Sequence, residues 1–305
     1  MRIRNTLIFS IFIVSIFGCK NEAEENNNSE QITEESSIKR KEKQLNITIL
    51  LDLSDRIEPT KYPTSPEHFE RDIEVVNYFT ELFKKDMEKK GAFMAKGKMK
   101  VIFSPRPNDP GINSIAGGLS VDLSKTQSTK EKKEIFDNLS LNFRENLAKI
   151  YTRTIEKKDY PGSDIWRFFK NDVVDYCIEE NTDYRNILVL ITDGYIFHKS
   201  SIERDKNRTA SLLPDDIARN GMRNSGWQKK FADEDFGYIT TRTDLNNLDV
   251  LVLEINPSKV YSNDEDVIKG YLRKWFTEMK VNSYKFYNSD LPEYTKSKID
   301  KFISN

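Results

Sequence analysis

From residue 44 onward, hydrophobic positions follow two rhythms. Short unbroken apolar runs occur at 46–51 (N-I-T-I-L-L), 99–103 (M-K-V-I-F), 186–192 (N-I-L-V-L-I-T) and 250–253 (V-L-V-L). Runs of that length without polar alternation predict strands covered on both faces, as in a parallel sheet. Between them, apolar residues recur every three or four positions. Phe69, Ile73, Val76, Phe79 and Phe83 predict a helix that opens at Ser65-Pro66, as N-cap and first-turn proline, and ends near Gly91. Ile135, Phe136, Leu139, Phe143, Leu147 and Ile150 mark one buried face of a helix or helix pair over 129–156. Ile165, Phe169, Val173 and Cys177 predict another helix after the loop 159–164, with Cys177 as a small buried hydrophobe.

Further elements complete the pattern: a short edge strand at 120–123, an amphipathic helix at 264–280, a last strand at 283–287 and a closing helix at 292–303. Strands alternating with helices in this way predict one α/β domain, a doubly wound, mostly parallel sheet with helices on both faces and one antiparallel edge strand. No internal repeat is present. One connection is too long for such a fold: residues 195–247 leave the sheet directly after Asp193, so they begin on the face where that strand ends. An ordered insertion there is either a lid or partner surface, with Trp227 and Tyr238 as aromatic anchors, or a local decoration.

Two of the apolar runs stop on a carboxylate. The first ends in Asp52-Leu53-Ser54-Asp55-Arg56 and the third in Thr192-Asp193-Gly194. Open α/β sheets place their sites at the carboxyl ends of strands, so chemistry is expected around Asp52. The simpler alternative is that Asp52 only accepts backbone N–H groups of its own loop.

Composition narrows the function classes. The chain has 305 residues with 37% hydrophobic and 32% charged, and a net charge of -1. That balance gives no long-range attraction to nucleic acid or anionic lipid. Two cysteines, Cys19 and Cys177, and two histidines, His68 and His198, argue against a disulfide framework and a cysteine/histidine zinc site. Neither histidine has an obvious serine or cysteine nucleophile partner in sequence, and no phosphate-cradling glycine loop occurs.

The amino terminus carries Arg2 and Arg4 and an apolar run at 7–17, the pattern of a secretory signal. Ile16-Phe17-Gly18-Cys19 resembles the lipobox of bacterial lipoproteins. That resemblance implies a signal peptide over 1–18, cleavage before Cys19 and acyl chains (palmitate among them) on Cys19, hence a membrane anchor in the cell envelope. An uncleaved anchor helix is the alternative. Such acyl chains, at about 0.8 kcal/mol per buried CH₂, would hold the protein on an outer membrane or cell surface. Residues 19–43 are polar and predict a disordered tether, reaching roughly 25–30 Å, before a domain at 44–305. The acidic run after Cys19 is similar to surface-export signals of lipoproteins of the Bacteroidetes type.

The order Asp52-x-Ser54, then Gly162-Ser163-Asp164 ahead of a helix, then Asp193-Gly194 at a strand end resembles the von Willebrand factor A-type domain and its metal-ion-dependent adhesion site. The resemblance spans 44 to the carboxyl terminus. It implies Asp52, Ser54, Ser163 and Asp193 as ligands of Mg²⁺ or Mn²⁺, with a coordination position left for an acidic group of a partner. A hard cation takes such oxygen ligands and keeps several waters. Arg56 departs from the family pattern, which has a serine there. A guanidinium at ~5 Å from a divalent ion is repelled by about 6–7 kcal/mol at an effective dielectric of 20. Arg56 must therefore point away, pair with Asp55 or Asp164, or replace the metal. The expected function is an anchored, extracytoplasmic module that binds a protein or polymer ligand without catalysis. The alternatives are a metal-assisted hydrolase with Asp55 or Asp164 as base, and a scaffold subunit with a vestigial site.

Overall fold

The computed structural model describes residues 42–258 and 260–304. The leader, Cys19 and most of the expected tether lie outside the described residues. Six strands form the main sheet: β1 (Gln44–Leu51), β2 (Lys98–Phe103), β3 (Ser120–Asp122), β4 (Tyr184–Ile191), β8 (Leu248–Ile255) and β9 (Ser283–Asn288). Their order is β3-β2-β1-β4-β8-β9, and all neighbours are parallel except the edge pair β2 and β3. The chain thus builds outward from β1 to β3 and returns to the other side of β1 with β4. The crevice between β1 and β4 is the switch point, where sheets of this order bind ligands.

The central strands are apolar because both of their faces are covered. Ile47, Ile49 and Leu51 of β1 pack with Ile187, Val189 and Ile191 of β4 under α1 (His68–Met94), α3 (Thr129–Lys157) and α9 (Pro292–Ser304). Leu50, Leu188, Leu190, Val250 and Val252 point the other way. They meet a second core built on α8 (Asp264–Glu278) and the segment 165–177. α2 (Pro110–Ala116), after the turn-rich loop that follows β2, packs on the first core through Ile112.

The apolar spacing located the helices but not all of their details. The first helix begins at His68 rather than at Ser65-Pro66. Pro66 stays outside because its carbonyl accepts from the Arg71 guanidinium at 2.8 Å, and Glu70 accepts the Glu67 N–H at 2.8 Å in the N-cap's place. Its regular run breaks at Gly91 (φ 72°), as the glycine predicts. The segment after Asp164 is α4 (Ile165–Arg167), a wide π turn (Phe168–Asp172) and α5 (Val173–Cys177). Its buried residues recur every four positions, overshooting 3.6 per turn by about 40° each time, and the wider turn absorbs the drift that would otherwise rotate Val173 and Cys177 off the core.

The 195–247 connection is ordered. It holds a small sheet of β5 (Arg204–Asp205), β6 (Arg208–Thr209) and β7 (Gly237–Tyr238), with α6 (Pro214–Arg219) and α7 (Trp227–Asp233). Trp227 and Tyr238 are buried, not displayed to a partner. Tyr238 packs at 5.0 Å from Trp275 and 5.3 Å from Tyr271, and Phe231 at 5.1 Å from Tyr271. The Trp227 ring lies so close to Gly270 that a Cβ there would stand 3.2 Å from it. These aromatics are the insertion's own core against α8, which corrects their expected role as anchors for a ligand.

Candidate functional site

Pairing of β1 with β4 fixes the first two loops. The Asp52 N–H donates to the Ile191 carbonyl at 3.0 Å, and the Thr192 N–H to the Leu253 carbonyl at 3.1 Å. Asp52 and Thr192-Asp193 therefore leave adjacent strands side by side. Asp52 is almost wholly buried; its Oδ1 accepts the Ser54 N–H at 2.8 Å and its Oδ2 accepts the Thr192 hydroxyl at 2.8 Å. Asp52 thus braces its own loop, as the simpler alternative has it, and also reaches across to the next strand. Thr192 was missed as a partner, although the Thr-Asp-Gly triplet was the signal for it.

After Ser54 the chain makes a 3₁₀ turn, Asp55–Ile57, and that turn sends Arg56 inward. The guanidinium is 3% exposed. Its Nε donates to the Asp52 carbonyl at 3.1 Å, and its Nη2 reaches Asp72 Oδ2 at 2.5 Å, where the Tyr151 hydroxyl also donates at 2.7 Å. Burial alone would favour neutral Arg56, but Asp72 and then Asp52 more than reverse this and raise its pKa, so it is charged. The expected turn away from the crevice holds only in part: Arg56 lines the groove and its Nε stays 4.0 Å from Asp52 Oδ2, while its Nη2 faces α1. Its partner is neither Asp55, which pairs with Lys61, nor Asp164, but Asp72 on α1. Asp72 carried a readable signal, for it stands three residues after Phe69 and four before Val76, on the buried stripe.

The third loop is stitched in by backbone pairs, Leu53 with Gly162 and Ser163 with Phe197. Gly162 takes φ +88°, a conformation side chains rarely adopt. Ser163 is buried, yet its Oγ has no hydrogen-bond partner among the described residues. Asp164 turns the other way. Its N–H donates to the Ser104 carbonyl at 2.9 Å, and its Oδ2 accepts from Ser201 Oγ at 2.8 Å and lies 3.2 Å from His198 Nδ1. The Asp164–His198 pairing was not visible in the sequence, because the two come from different loops.

Asp193 Oδ1 accepts the Tyr195 N–H at 2.9 Å. Burial, with the negative charge of Asp52 beside it, pushes the Asp193 carboxyl up to about 7. Gly194 follows at φ +97°, and a Cβ there would fall 2.7 Å from Ile268 Cγ2, so no other residue fits against α8. Ser54, Arg56, Ser163 and Asp193 all line one open groove of about 1380 Å³ at the carboxyl edge of the sheet. On its far side His68, pushed down to about 4 by burial and by Arg71, lies 2.7 Å from Arg71, which donates to buried Glu254 at 2.9 Å.

Ser54, Ser163 and Asp193 thus line one crevice with Asp52 buried beside it, while Asp55 is engaged by Lys61 and Asp164 by Ser201 and His198. Among the described residues no three histidine, cysteine or acidic side chains converge as a metal-binding group. The donors here are instead two carboxylates and two hydroxyls, one of them orphaned and buried. That set suits a hard divalent cation completed by water rather than a soft transition metal. Arg56, held on Asp72, keeps its positive charge 4.0 Å from Asp52 Oδ2 at the edge of this set.

No family model and no curated protein matches the chain. Among solved structures, an aerotolerance-related membrane protein from Bacteroides fragilis NCTC 9343, with multiple mutations to serines, is similar over 85% of this chain and 98% of its own, at 11% identity and a TM-score of 0.35. The pilus adhesin SpaC from Lactobacillus rhamnosus GG is similar over 86% of this chain and 31% of its own, at 10% and 0.40. Proximal thread matrix protein 1 from the mussel byssus matches over 86% and 48%, at 10% and 0.34. Among the described residues no helix is long and apolar enough to cross a membrane.

Proposed function

We propose that this chain is a lipid-anchored binding module of the cell envelope, similar in kind to von Willebrand factor A-type domains, which takes a protein or polymer ligand at a divalent-cation site between β1 and β4. The observation that carries the reading is the buried, unpartnered Ser163 hydroxyl on the crevice where the carboxylates of Asp52 and Asp193 leave adjacent strands. Asp193, Ser54 and Ser163 would hold Mg²⁺ or Mn²⁺, with Asp52 fixing the loop and adding negative charge. When bound, the ion would supply a positive centre for an acidic group of the ligand. Asp52 is positioned by Thr192 and Ser54, and Ser163 by its backbone pairing with Phe197, so these donors need little rearrangement to meet a cation.

The hydrolase alternative has less support, since the two carboxylates expected to act as base are engaged, Asp55 by Lys61 and Asp164 by Ser201 and His198. Calorimetric titration of the purified full-length chain with Mg²⁺ and Mn²⁺ tests the reading. Binding is expected for wild type, lost in Asp193→Ala and weakened in Ser163→Ala. Equal heats from wild type and Asp193→Ala, or none from wild type, would overturn it.

A further inference from the structure

The groove is not charged evenly. On most of its lining the charged groups are engaged internally: Arg56 by Asp72, Arg71 by Glu254, Asp55 by Lys61 and Asp290 by Lys298. The wall beside Ser163 is different. It is made by three loops held together by the Asp164 N–H to Ser104 carbonyl bond and the pairing of Ser163 with Phe197. Each loop contributes one exposed basic side chain to the groove: Arg106, Lys158 and Lys199. None of the three is in an ion pair among the described residues, and Arg106 donates only to the neutral amide of Asn113 at 3.0 Å. Lys158 caps α3 in the left-handed region (φ 51°). His198 adds a fourth nitrogen-bearing side chain, with its Nδ1 3.2 Å from Asp164. Asp159 shares this wall and Glu58 lies close enough to act on Lys158, which still leaves a surplus of positive charge from Arg106, Lys158 and Lys199.

Uncompensated like charges converging on a concave surface raise the local potential and favour an anion there. Apolar side chains border the same groove: Tyr62 is 43% exposed, Phe197 38% and Leu291 47%. Resting on the cation-site reading above, we propose that the groove takes an acidic peptide segment of a partner protein, with one acidic side chain at the Asp193–Ser163 centre and a second on the Arg106–Lys158–Lys199 wall. A peptide is favoured over an acidic polysaccharide because the exposed Leu291 and the exposed edge of Phe197 match apolar side chains interspersed among acids. Neither the wall nor the rim is part of the cation site, so the two are separable by mutation.

The test uses the purified full-length chain and a labelled peptide of alternating glutamate and leucine, with its glutamine counterpart and an oligogalacturonate as competitors. Fluorescence polarisation is read in Mg²⁺ at 50 and 200 mM salt. The glutamate peptide should bind at least about tenfold more tightly than the glutamine form. The variant Arg106→Gln/Lys158→Asn/Lys199→Gln should lose about tenfold in affinity and most of the salt dependence, since exposed interface charges act through screened attraction. Asparagine at 158 keeps the left-handed backbone without the charge. Its Mg²⁺ heat should equal that of wild type. Unchanged peptide affinity in the triple variant, no peptide binding by wild type, or tighter binding of the oligogalacturonate would each overturn the proposal. A chain that gives no Mg²⁺ heat but still shows wall-dependent peptide binding would overturn the cation reading and leave the wall assignment standing.

Discussion

Asp72 is fully buried, and its charge is matched by Arg56 and the Tyr151 hydroxyl. Arg56→Met would leave that buried carboxylate without its paired cation, which typically costs about 3–5 kcal/mol. The urea midpoint should fall accordingly, and the double variant Arg56→Met/Asp72→Leu should recover most of the loss, because removing both charges also removes the desolvation penalty. A midpoint unchanged by Arg56→Met would mean that the pair contributes nothing. At this scale the sequence was half legible. Asp52, Ser163 and Asp193 could be picked out because each stands at the end of an apolar run or the start of a helix. The direction of Arg56 could not, since it depends on a 3₁₀ turn and on an acid 16 residues away on another element. Charge repulsion required the guanidinium to avoid a cation but did not say where it would go.

The long connection after β4 is a folded element with its own hydrophobic seam. Trp227 is 7% exposed and lies against Gly270 of α8 and beside Phe231 at 6.0 Å. Trp227→Ala should destabilise the protein by about 3–5 kcal/mol, as large-to-small aromatic changes in cores do. Thermal unfolding would measure it, and limited proteolysis should show new cleavage between 200 and 235. Resistance equal to wild type would place the insertion's stability elsewhere. Strands of the main sheet were legible because they are apolar on both faces; β5, β6 and β7 were not, having two residues each and no period to detect. The start of α1 was misplaced for a related reason. A serine–proline pair has the composition of a helix start, but the bonds from Arg71 to the Pro66 carbonyl and from the Glu67 N–H to Glu70 set the start at His68.

For the whole molecule, the sheet order that creates the crevice was foreseeable in outline, because alternating strands and helices admit few right-handed arrangements. Which strand neighbours β1 is a tertiary fact that no local pattern encodes. The membrane anchor is the part of the reading that rests on sequence alone. Cys19→Ala should release the protein from the membrane fraction into the soluble one, as judged by fractionation. Retention in the membrane would point to an uncleaved apolar leader.

β1 enters the domain at Gln44 and reaches the crevice at Asp52, hydrogen-bonded along its length to β2 on one side and β4 on the other. At about 3.3 Å per residue, its eight residues span roughly 26 Å. A ligand pulled from the groove while the chain is held before Gln44 would therefore load β1 along its own axis. The ladders on both flanks would resist together, in shear, rather than opening one bond at a time. The central strand would then serve as a tension rod, joining the point of attachment to the point of grip.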